Sequence, residues 1–490
     1  MTAEPAASAP FVETDIRAGR VRGRRRADGS IAFLGIPFAE PPVGELRFAA
    51  PVPHGPWSGI RDALEHGPTP KRATPGEVTL IPEPAIPGDS TLNLDVFTPD
   101  VAGAAPVLVY IHGGGYTAGS PASPWYDGAA FTRDGIVTVT ISCRLGFDGF
   151  GWITDAPTNR AVRDWLLALE WVRDNIASFG GDPGRVTIAG QSAGASAVLT
   201  LLAIPAARGL FHAAYAMSAP DAAVPLDRAE HLGRRLAELG GVEPTRAGLS
   251  TLDEARIREL QDRAAVTEGA DAVEAAVELL ADGLAWAPVV DGELLPEPPV
   301  EALRHGASAE VPLVIGALDD EFSMLLDEEA RRLRWMSPSL VLARLRIPRG
   351  RRRAWLAANR ALRGRGTARL VGRFITDSVF RSTVPRVAAA RGTASTWVYR
   401  FAWPSGASGL ALHCLDVPFF FDCLADPEVP TLAGAHAPQG LADAVHGSAV
   451  AFIRDGDPGW EPHAASGAAR VYDVPLGADR DAYVGALPLL

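Results

Sequence analysis

Short, largely apolar runs recur along the chain, and glycine-rich loops follow several of them. Such runs occupy residues 107–111, 136–141, 186–189 and 312–316. Continuous apolar runs of this length are typical of parallel strands that are covered on both faces. Residues 162–179 instead place apolar side chains three and four positions apart, which is the period of an amphipathic helix. This alternation predicts an α/β fold with a large, mostly parallel central sheet flanked by helices.

Two longer stretches interrupt this alternation. Residues 226–281 and 331–373 are rich in Ala, Leu and Arg at helical spacing. We therefore expect one domain over residues 1–490, with helical insertions at 221–285 and 322–392 that shape a substrate gorge. The arginines of the second stretch do not predict nucleic-acid binding, because few aromatic residues lie between them and the whole chain is acidic.

Composition narrows the possible functions. The chain has 490 residues, 47% of them hydrophobic and 21% charged, which suits a globular protein with a large core. Its net charge of −12 disfavours nucleic acid as a partner. Neither an apolar signal segment nor a run long enough to span a membrane occurs, so we expect no membrane partner. The three cysteines fit neither a disulfide framework nor a metal site, which favours a cytoplasmic location.

The run at 186–189 leads into a Gly-x-Ser-x-Gly motif centred on Ser192. Residues 190–194 are Gly-Gln-Ser-Ala-Gly. The run of mostly small residues at 193–203 predicts a helix that begins directly after the serine. A sharp strand-to-helix turn of this kind exposes a serine hydroxyl above a parallel sheet. Its glycines avoid collisions with the neighbouring strand and helix. The motif alone is a moderate indication, but its setting makes Ser192 the predicted nucleophile.

Three consecutive glycines follow the run at 107–111. They belong to the sequence His-Gly-Gly-Gly at residues 112–115. Consecutive glycines are entropically costly, and we expect them where the backbone must approach a ligand closely. Beside a nucleophile elbow such a loop supplies N–H donors to an oxyanion, whereas the alternative is a flexible turn. His112 belongs to the loop motif, so we expect it to position the loop rather than act as the catalytic base.

Longer segments resemble the type-B carboxylesterase and cholinesterase-like family of α/β-hydrolases. The resemblance is carried by residues 35–48, 92–99 and 171–190, and it is most specific in the last of these. It extends from about residue 21 to residue 460 and implies the α/β-hydrolase fold with serine carboxylesterase activity. Gln191 before the serine and Cys414 after the histidine resemble the residues at these positions in a bacterial branch of the family. That branch includes para-nitrobenzyl esterases and aryl-carbamate hydrolases.

The resemblance implies roles for individual residues around Ser192. It places the oxyanion donors at Gly114, Gly115 and Ala193. It places the catalytic base at His413, which follows a predicted strand at residues 396–401.

The catalytic acid is the least certain member of the triad. Counting from Gly316, the family's glutamate falls at Glu321, but Leu318 and Phe322 replace the usual Asn and Gly. Asp320 is adjacent and stays open as the alternative acid. The chain order of Ser192, then an acid, then a histidine is the order of α/β-hydrolases.

Further residues are implied to support the triad or the fold. Gln191 and Ser218 are candidates to lie behind the triad, although a plain loop serine is an equal alternative for Ser218. Two structural ion pairs are also implied, one joining Asp89 to Arg47 and the other joining Arg144 to Asp164.

These residues together predict an esterase that works through an acyl-enzyme intermediate. His413 would remove the proton of Ser192, Glu321 would orient the imidazole, and no metal or organic cofactor is needed. We expect a small carboxylic ester as substrate and a monomer or homodimer as the assembly. A carbamate or amide hydrolase with the same triad is the second hypothesis. A non-catalytic cholinesterase-like binding protein is the third, and it is disfavoured because all triad positions are filled.

Overall fold

The computed structural model describes residues 10–70, 80–266, 277, 280–327 and 329–490. Its centre is a sheet of 13 strands, and a separate pair of short strands, β10 and β11, lies outside it. The strands are β1 Phe11–Ile16, β2 Gly19–Arg25, β3 Ile31–Pro37, β4 Ile60–Asp62, β5 Asn93–Thr98, β6 Ala105–Ile111, β7 Val137–Ile141, β8 Gly181–Gln191, β9 Ala213–Met217, β10 Val224–Pro225, β11 Val289–Val290, β12 Leu313–Leu318, β13 Thr396–Phe401, β14 Ala469–Tyr472 and β15 Gly477–Asp479.

The strand order shows a parallel centre with antiparallel edges. The order is β1-β2-β3-β5-β7-β6-β8-β9-β12-β13-β14-β15, with β4 beside β2. Every neighbouring pair from β7 through β14 is parallel. The chain-end pairs β1–β2 and β14–β15 are antiparallel. The predicted α/β fold with a large, mostly parallel sheet is therefore confirmed.

Helices connect the strands and cover the sheet. They are α1 Ala129–Arg133, α2 Gly146–Phe150, α3 Arg160–Asn175, α4 Ala193–Ala203, α5 Leu226–Gly240, α6 Arg246–Leu249, α7 Glu254–Ala265, α8 Pro299–Arg304, α9 Ala330–Leu333, α10 Pro338–Arg344, α11 Arg349–Ala358, α12 Thr367–Thr376, α13 Thr383–Arg391, α14 Val417–Phe420, α15 Val429–Ala433, α16 Gln439–Asp455 and α17 His463–Ser466. No helix among the described residues has the length and apolarity that a bilayer span requires.

The central strands separate two hydrophobic cores. Along β6, Val107 and Val109 belong to one buried cluster, whereas Leu108 and Tyr110 belong to the other. Successive side chains of a strand point to opposite faces of the sheet, so a strand between two cores must be apolar throughout. This requirement explains the continuous apolar run from which β6 was predicted.

The helical stretches of the sequence are helical in the structure. Helices α5–α7 lie within residues 226–265, and α9–α13 lie within residues 330–391. The second group has its own small core, in which Trp355 of α11 packs edge to face against Phe374 of α12 at 5.2 Å. Residues 267–276 of the first predicted insertion lie outside the described residues.

One of the two predicted ion pairs forms and the other is wrong. Arg144 Nη2 lies 2.7 Å from Asp164 Oδ1, and both side chains are buried. Arg47 instead approaches Asp148, with Nε 3.3 Å from Oδ2, and its Nη1 donates to the backbone oxygen of Leu252 at 2.6 Å. Asp89 is exposed. Arg47 points inward, where its guanidinium pairs with a carboxylate of α2 and a backbone carbonyl, whereas Asp89 stays exposed to solvent.

Candidate active site

Ser192 lies at a strained turn between β8 and α4. Its backbone has φ +58° and ψ −124°, which is unfavourable for a residue with a side chain. The Ser192 N–H donates to the backbone oxygen of Met217 on β9 at 2.9 Å. Strain of this kind persists only where surrounding structure enforces it, and here the sheet holds both sides of the turn.

The glycines around Ser192 allow two backbone segments to approach each other. A Cβ atom on Gly190 would lie 2.4 Å from the backbone oxygen of Gly194. A Cβ atom on Gly194 would lie 2.0 Å from the backbone oxygen of Ile111, at the end of β6. Both distances are far inside van der Waals contact, so the steric reason inferred for the motif's glycines holds in the structure.

The structure brings Glu321 and His413 together. His413 Nδ1 lies 2.5 Å from Glu321 Oε2, and Glu321 is fully buried. Glu321 Oε1 accepts the backbone N–H of Leu318 at 2.8 Å. The His413 N–H donates to the backbone oxygen of Glu321 at 3.0 Å, so the two loops are joined through main chain and side chain. A carboxylate at Nδ1 keeps the proton on that nitrogen and leaves the lone pair on Nε2.

Asp320, the alternative acid, points away from the histidine. Its Oδ1 accepts a hydrogen bond from Ser323 Oγ at 3.0 Å and lies 2.8 Å from Arg365 Nη1. The geometry therefore favours Glu321 over Asp320 as the partner of His413.

A group of arginines holds the loop that carries Glu321. Arg381 Nη1 lies 2.7 Å from Asp319 Oδ1, and Arg400 Nη2 lies 2.6 Å from Asp319 Oδ2. Burial alone would raise the pKa of Asp319, but the charges of Arg381, Arg373 and Arg400 outweigh it and keep that pKa well below its usual range. No sequence motif links Asp319 to these arginines, because they lie far apart in the chain, so the cluster could not be predicted.

Gln191 occupies the free nitrogen of His413. Gln191 Nε2 lies 3.3 Å from His413 Nε2 and can donate to its lone pair. Within the described part of the chain, no hydrogen bond joins Ser192 Oγ to His413, although both residues line the same cavity. Catalytic hydrogen bonds are often long before substrate binds and shorten in the complex. Gln191 therefore competes with Ser192 for the histidine.

Cys414 is the second partner of Gln191. Its Sγ donates to Gln191 Oε1 at 3.5 Å. Burial and the nearby charges of Asp416 and Glu321 raise the pKa of the thiol well above its usual value. A thiol that stays protonated is a poor nucleophile, so Cys414 is suited to packing and hydrogen bonding.

Three residues with free backbone N–H groups line the same cavity as Ser192. Gly114, Gly115 and Ala193 all line the cavity that contains the Ser192 hydroxyl. Gly114 and Gly115 have φ values of +101° and +59°, which their lack of a side chain permits. Where the chain is described, none of these three N–H groups donates a hydrogen bond, and Ala193 is the first residue of α4. The arrangement leaves three donors free for an anionic oxygen.

His112 and Ser218 lie beside the site without joining it. His112 Nδ1 lies 2.9 Å from the backbone oxygen of Gly113, which suits the expected role in positioning the loop. Ser218 is buried, with φ +57°, and its N–H donates to the backbone oxygen of Gly316 at 2.8 Å. Its Oγ makes no hydrogen bond to any described residue, so no hydrogen bond from this hydroxyl reaches Glu321.

A buried acid lies close to the triad. Asp416 Oδ2 accepts a hydrogen bond from Tyr399 at 3.0 Å, and burial together with the charge of Glu321 raises the pKa of Asp416 to about 7.

The cavity around Ser192 has a volume of about 420 Å³ and mixed walls. The rings of Phe322 and Phe380 pack against the His413 ring, with centroids 5.1 and 4.7 Å away. Arg386 and Asp221 form an ion pair of 2.8 Å in the wall. Phe380 and Arg386 carried no motif and were missed, because nothing local in the sequence marks a helix residue that faces a cavity. In the described parts of the chain no cluster of three metal-ligating side chains occurs.

Comparison with known proteins shows the family to which the chain belongs. The sequence profile of the carboxylesterase family matches residues 8–468. The para-nitrobenzyl esterase of Bacillus subtilis (strain 168) is 31% identical over 458 residues, which cover 90% of each chain. The phenmedipham hydrolase of Pseudarthrobacter oxydans is 33% identical over 467 residues, 88% of this chain and 87% of that protein.

Solved structures give the same result. A carboxylesterase of Geobacillus stearothermophilus superimposes with a TM-score of 0.81 at 29% identity, over 96% of this chain and 99% of that one. A thermophilic para-nitrobenzyl esterase also superimposes with a TM-score of 0.81, at 25% identity, over 98% and 99% of the two chains. The chain is thus a carboxylic ester hydrolase with the α/β-hydrolase fold, and it belongs to the carboxylesterase family.

Proposed function

We propose that this chain hydrolyses carboxylic esters with Ser192 as nucleophile, His413 as general base and acid, and Glu321 as the residue that orients the imidazole. The observation that carries the proposal is the 2.5 Å contact of His413 Nδ1 with Glu321 Oε2, in a cavity shared with the strained Ser192. No step of this mechanism needs a metal or organic cofactor.

The first half of the reaction forms an acyl-enzyme. His413 Nε2 takes the proton of Ser192 Oγ as that oxygen attacks the carbonyl carbon of the ester, and a tetrahedral oxyanion forms. The oxyanion collapses, the bond to the alcohol oxygen breaks, and the imidazolium returns the proton to the departing alkoxide. Gln191 must release Nε2 for this transfer, so substrate binding has to rearrange the 3.3 Å contact.

The second half regenerates the enzyme. His413 activates a water molecule, which attacks the acyl carbon, and Ser192 Oγ leaves with the proton carried by the imidazolium. We propose that the N–H groups of Gly114, Gly115 and Ala193 stabilise both oxyanions, because all three are free and line the cavity. Removing one such donor typically raises the barrier by about 3 kcal/mol.

We also propose that the two predicted insertions, 221–285 and 322–392, shape the gorge. Residues 280–284 and 378–380 line the cavity and belong to them. The aromatic and aliphatic side chains in the cavity wall and the volume of about 420 Å³ suit a small aryl or alkyl ester. A monomeric or homodimeric assembly and a cytoplasmic location stay predictions.

A carbamate hydrolase with the same triad is the second candidate function. The phenmedipham hydrolase, 33% identical over 88% of this chain, favours it. The nitrogen lone pair of a carbamate makes its carbonyl carbon less electrophilic than that of an ester, so carbamate cleavage needs more stabilisation of the tetrahedral oxyanion. A panel of matched substrates separates the two candidates. The ester and the carbamate release the same aryl alcohol, the amide releases the matching arylamine, and the substrate class with the highest kcat/KM identifies the activity.

Turnover of p-nitrophenyl butyrate by Ser192→Ala tests the proposal. We expect kcat to fall by about 10⁴-fold or more, because no other serine replaces the nucleophile. Ser250→Ala, at an exposed serine outside the cavity, serves as the matched control and should keep wild-type turnover. Substantial ester turnover by Ser192→Ala would refute the assignment of the nucleophile.

A further inference from the structure

One segment of this acidic protein has the opposite charge. Residues 330–376 contain 14 arginines and no Lys, Asp or Glu. The whole chain has a net charge of −12, so subtracting these 14 charges leaves −26 for the rest. A block of one sign on a surface of the other sign creates a strong local potential that selects an anionic partner.

The arginines of this segment lie mainly at the surface. Eleven of the 14 are exposed in the structure. On α11, Trp355 is fully buried and donates from Nε1 to Asp377 at 2.9 Å, so the helix is held to the domain by its inner face. Arg349, Arg351 and Arg353 of the same helix are exposed to solvent and form no ion pair with any described residue. These charges are available to a partner.

Large apolar side chains of the same arginine-rich segment are also exposed. Trp335 is 82% exposed and Leu340 is 61% exposed, and the guanidinium of Arg334 lies 4.7 Å from the centre of the Trp335 ring. Trp and Leu next to Arg is the combination that peripheral membrane proteins place in the headgroup region of a bilayer. An exposed tryptophan of this kind gains free energy when it is partly buried among lipid headgroups.

The charged segment is joined to the substrate cavity at both ends. Phe322 lines the cavity eight residues before the segment begins, and Ser378 and Phe380 line it directly after α12. The chain therefore leaves the cavity wall, forms the arginine-rich helices, and returns to the same wall. If this segment binds a surface, the cavity wall formed by Phe322, Ser378 and Phe380 is held close to that surface and to substrates dissolved in it.

We propose that the arginine-rich face of residues 330–365 docks the enzyme reversibly on an anionic phospholipid surface, with Trp335 and Leu340 among the headgroups. This inference goes beyond ester hydrolysis and does not depend on the triad. It revises the expectation of no membrane partner, which rested on the absence of a span and of a signal segment. Nucleic acid is the competing anionic partner, but the exposed Leu340 has no role there, and stacking platforms need more than one aromatic side chain.

Sedimentation with vesicles of stated composition tests the proposal on the full chain. We expect binding to vesicles that contain phosphatidylglycerol, no binding to pure phosphatidylcholine, and release at high salt. The triple variant Arg349→Gln, Arg351→Gln, Arg353→Gln should lower the partition coefficient on the order of a hundredfold, because each surface charge contributes about a factor of five.

A matched control removes the same charge elsewhere. Arg234→Gln, Arg256→Gln and Arg263→Gln alter exposed helical arginines that already pair with Glu230 or Glu259, so binding should stay within about twofold of wild type. Circular dichroism shows whether both variants are folded. If one is not, the comparisons of lipid composition and salt concentration still test the proposal, because they use the wild-type chain.

Three results would overturn the proposal. The first is no binding of the wild-type chain to phosphatidylglycerol vesicles at low salt. The second is equal loss of binding in the two triple variants. The third is displacement of vesicles by a DNA oligonucleotide that binds more tightly, which would assign the face to nucleic acid. Vesicle binding is measured equally well with Ser192→Ala, so failure of this proposal is distinguishable from failure of the proposed ester hydrolysis.

Discussion

Asp416 gives the structure a pH-dependent weakness that a single substitution should remove. The side chain is buried, Oδ2 accepts from Tyr399, and Oδ1 has no hydrogen-bond partner among the described residues. Burial and the charge of Glu321 raise its pKa from 3.8 to about 7. The folded protein therefore holds this proton over a pH range in which the unfolded chain has already released it.

The loss in the free energy of unfolding follows from the shift in the pKa of Asp416. Between about pH 5 and pH 7 the unfolded state has lost the proton and the folded state keeps it, so the free energy of unfolding falls as pH rises. Two pH units at about 1.4 kcal/mol per unit give a loss on the order of 3 kcal/mol, which levels off above pH 7. Asp416→Asn has nearly the same shape and no charge, so it should lack this loss.

Urea unfolding followed by tryptophan fluorescence measures the difference at several pH values. We expect the free energy of unfolding of Asp416→Asn, relative to wild type, to increase on the order of 3 kcal/mol from pH 5 to pH 8. Any cost of fitting the amide is the same at every pH and does not affect this slope. A difference that stays flat across the range would show that Asp416 ionises normally in the folded protein.

Four other substitutions test the site. In steady-state kinetics, Glu321→Gln should lower kcat by about 10³-fold or more, whereas Asp320→Asn should change kcat less than tenfold. The reverse order of the two effects would make Asp320 the acid. Gln191→Glu should move the acidic limb of the pH profile of kcat/KM to higher pH, because a carboxylate beside His413 stabilises the imidazolium; an unchanged limb would mean that the contact is absent in solution. Gly194→Ala should lower the melting temperature by several degrees and abolish turnover, since its Cβ would meet a backbone oxygen at 2.0 Å; a stable, active variant would refute the packing.

The sequence predicted the parts of the fold that are shaped by burial. The runs that became β6, β7, β8 and β12 could be recognised because strands covered on both faces must be apolar. Ser192 directly follows β8 and Glu321 lies three residues after β12, each within a motif, so position in the chain predicts position in space. His413 lies twelve residues after β13 ends and was predicted from its motif and the chain order alone.

The remaining features depend on contacts between distant parts of the chain. Arg47 was assigned to Asp89, but tertiary packing turns it toward Asp148. Arg373, Arg381 and Phe380 come from helical segments that carry no motif, and periodicity does not say which face meets a cavity. Arg400 comes from β13, where no motif marks it as a partner of Asp319. The contact between Gln191 and His413 is likewise invisible locally, because 222 positions separate the two residues.

Covalent labelling tests the central claim most directly. A dialkyl fluorophosphate incubated with the enzyme should add one dialkylphosphoryl group, abolish turnover of p-nitrophenyl butyrate, and map by peptide mass spectrometry to Ser192. That result requires a nucleophilic serine, a working base and accessible oxyanion donors at one place. An inactivated enzyme labelled at another residue, or full turnover after complete labelling of Ser192, would contradict the account.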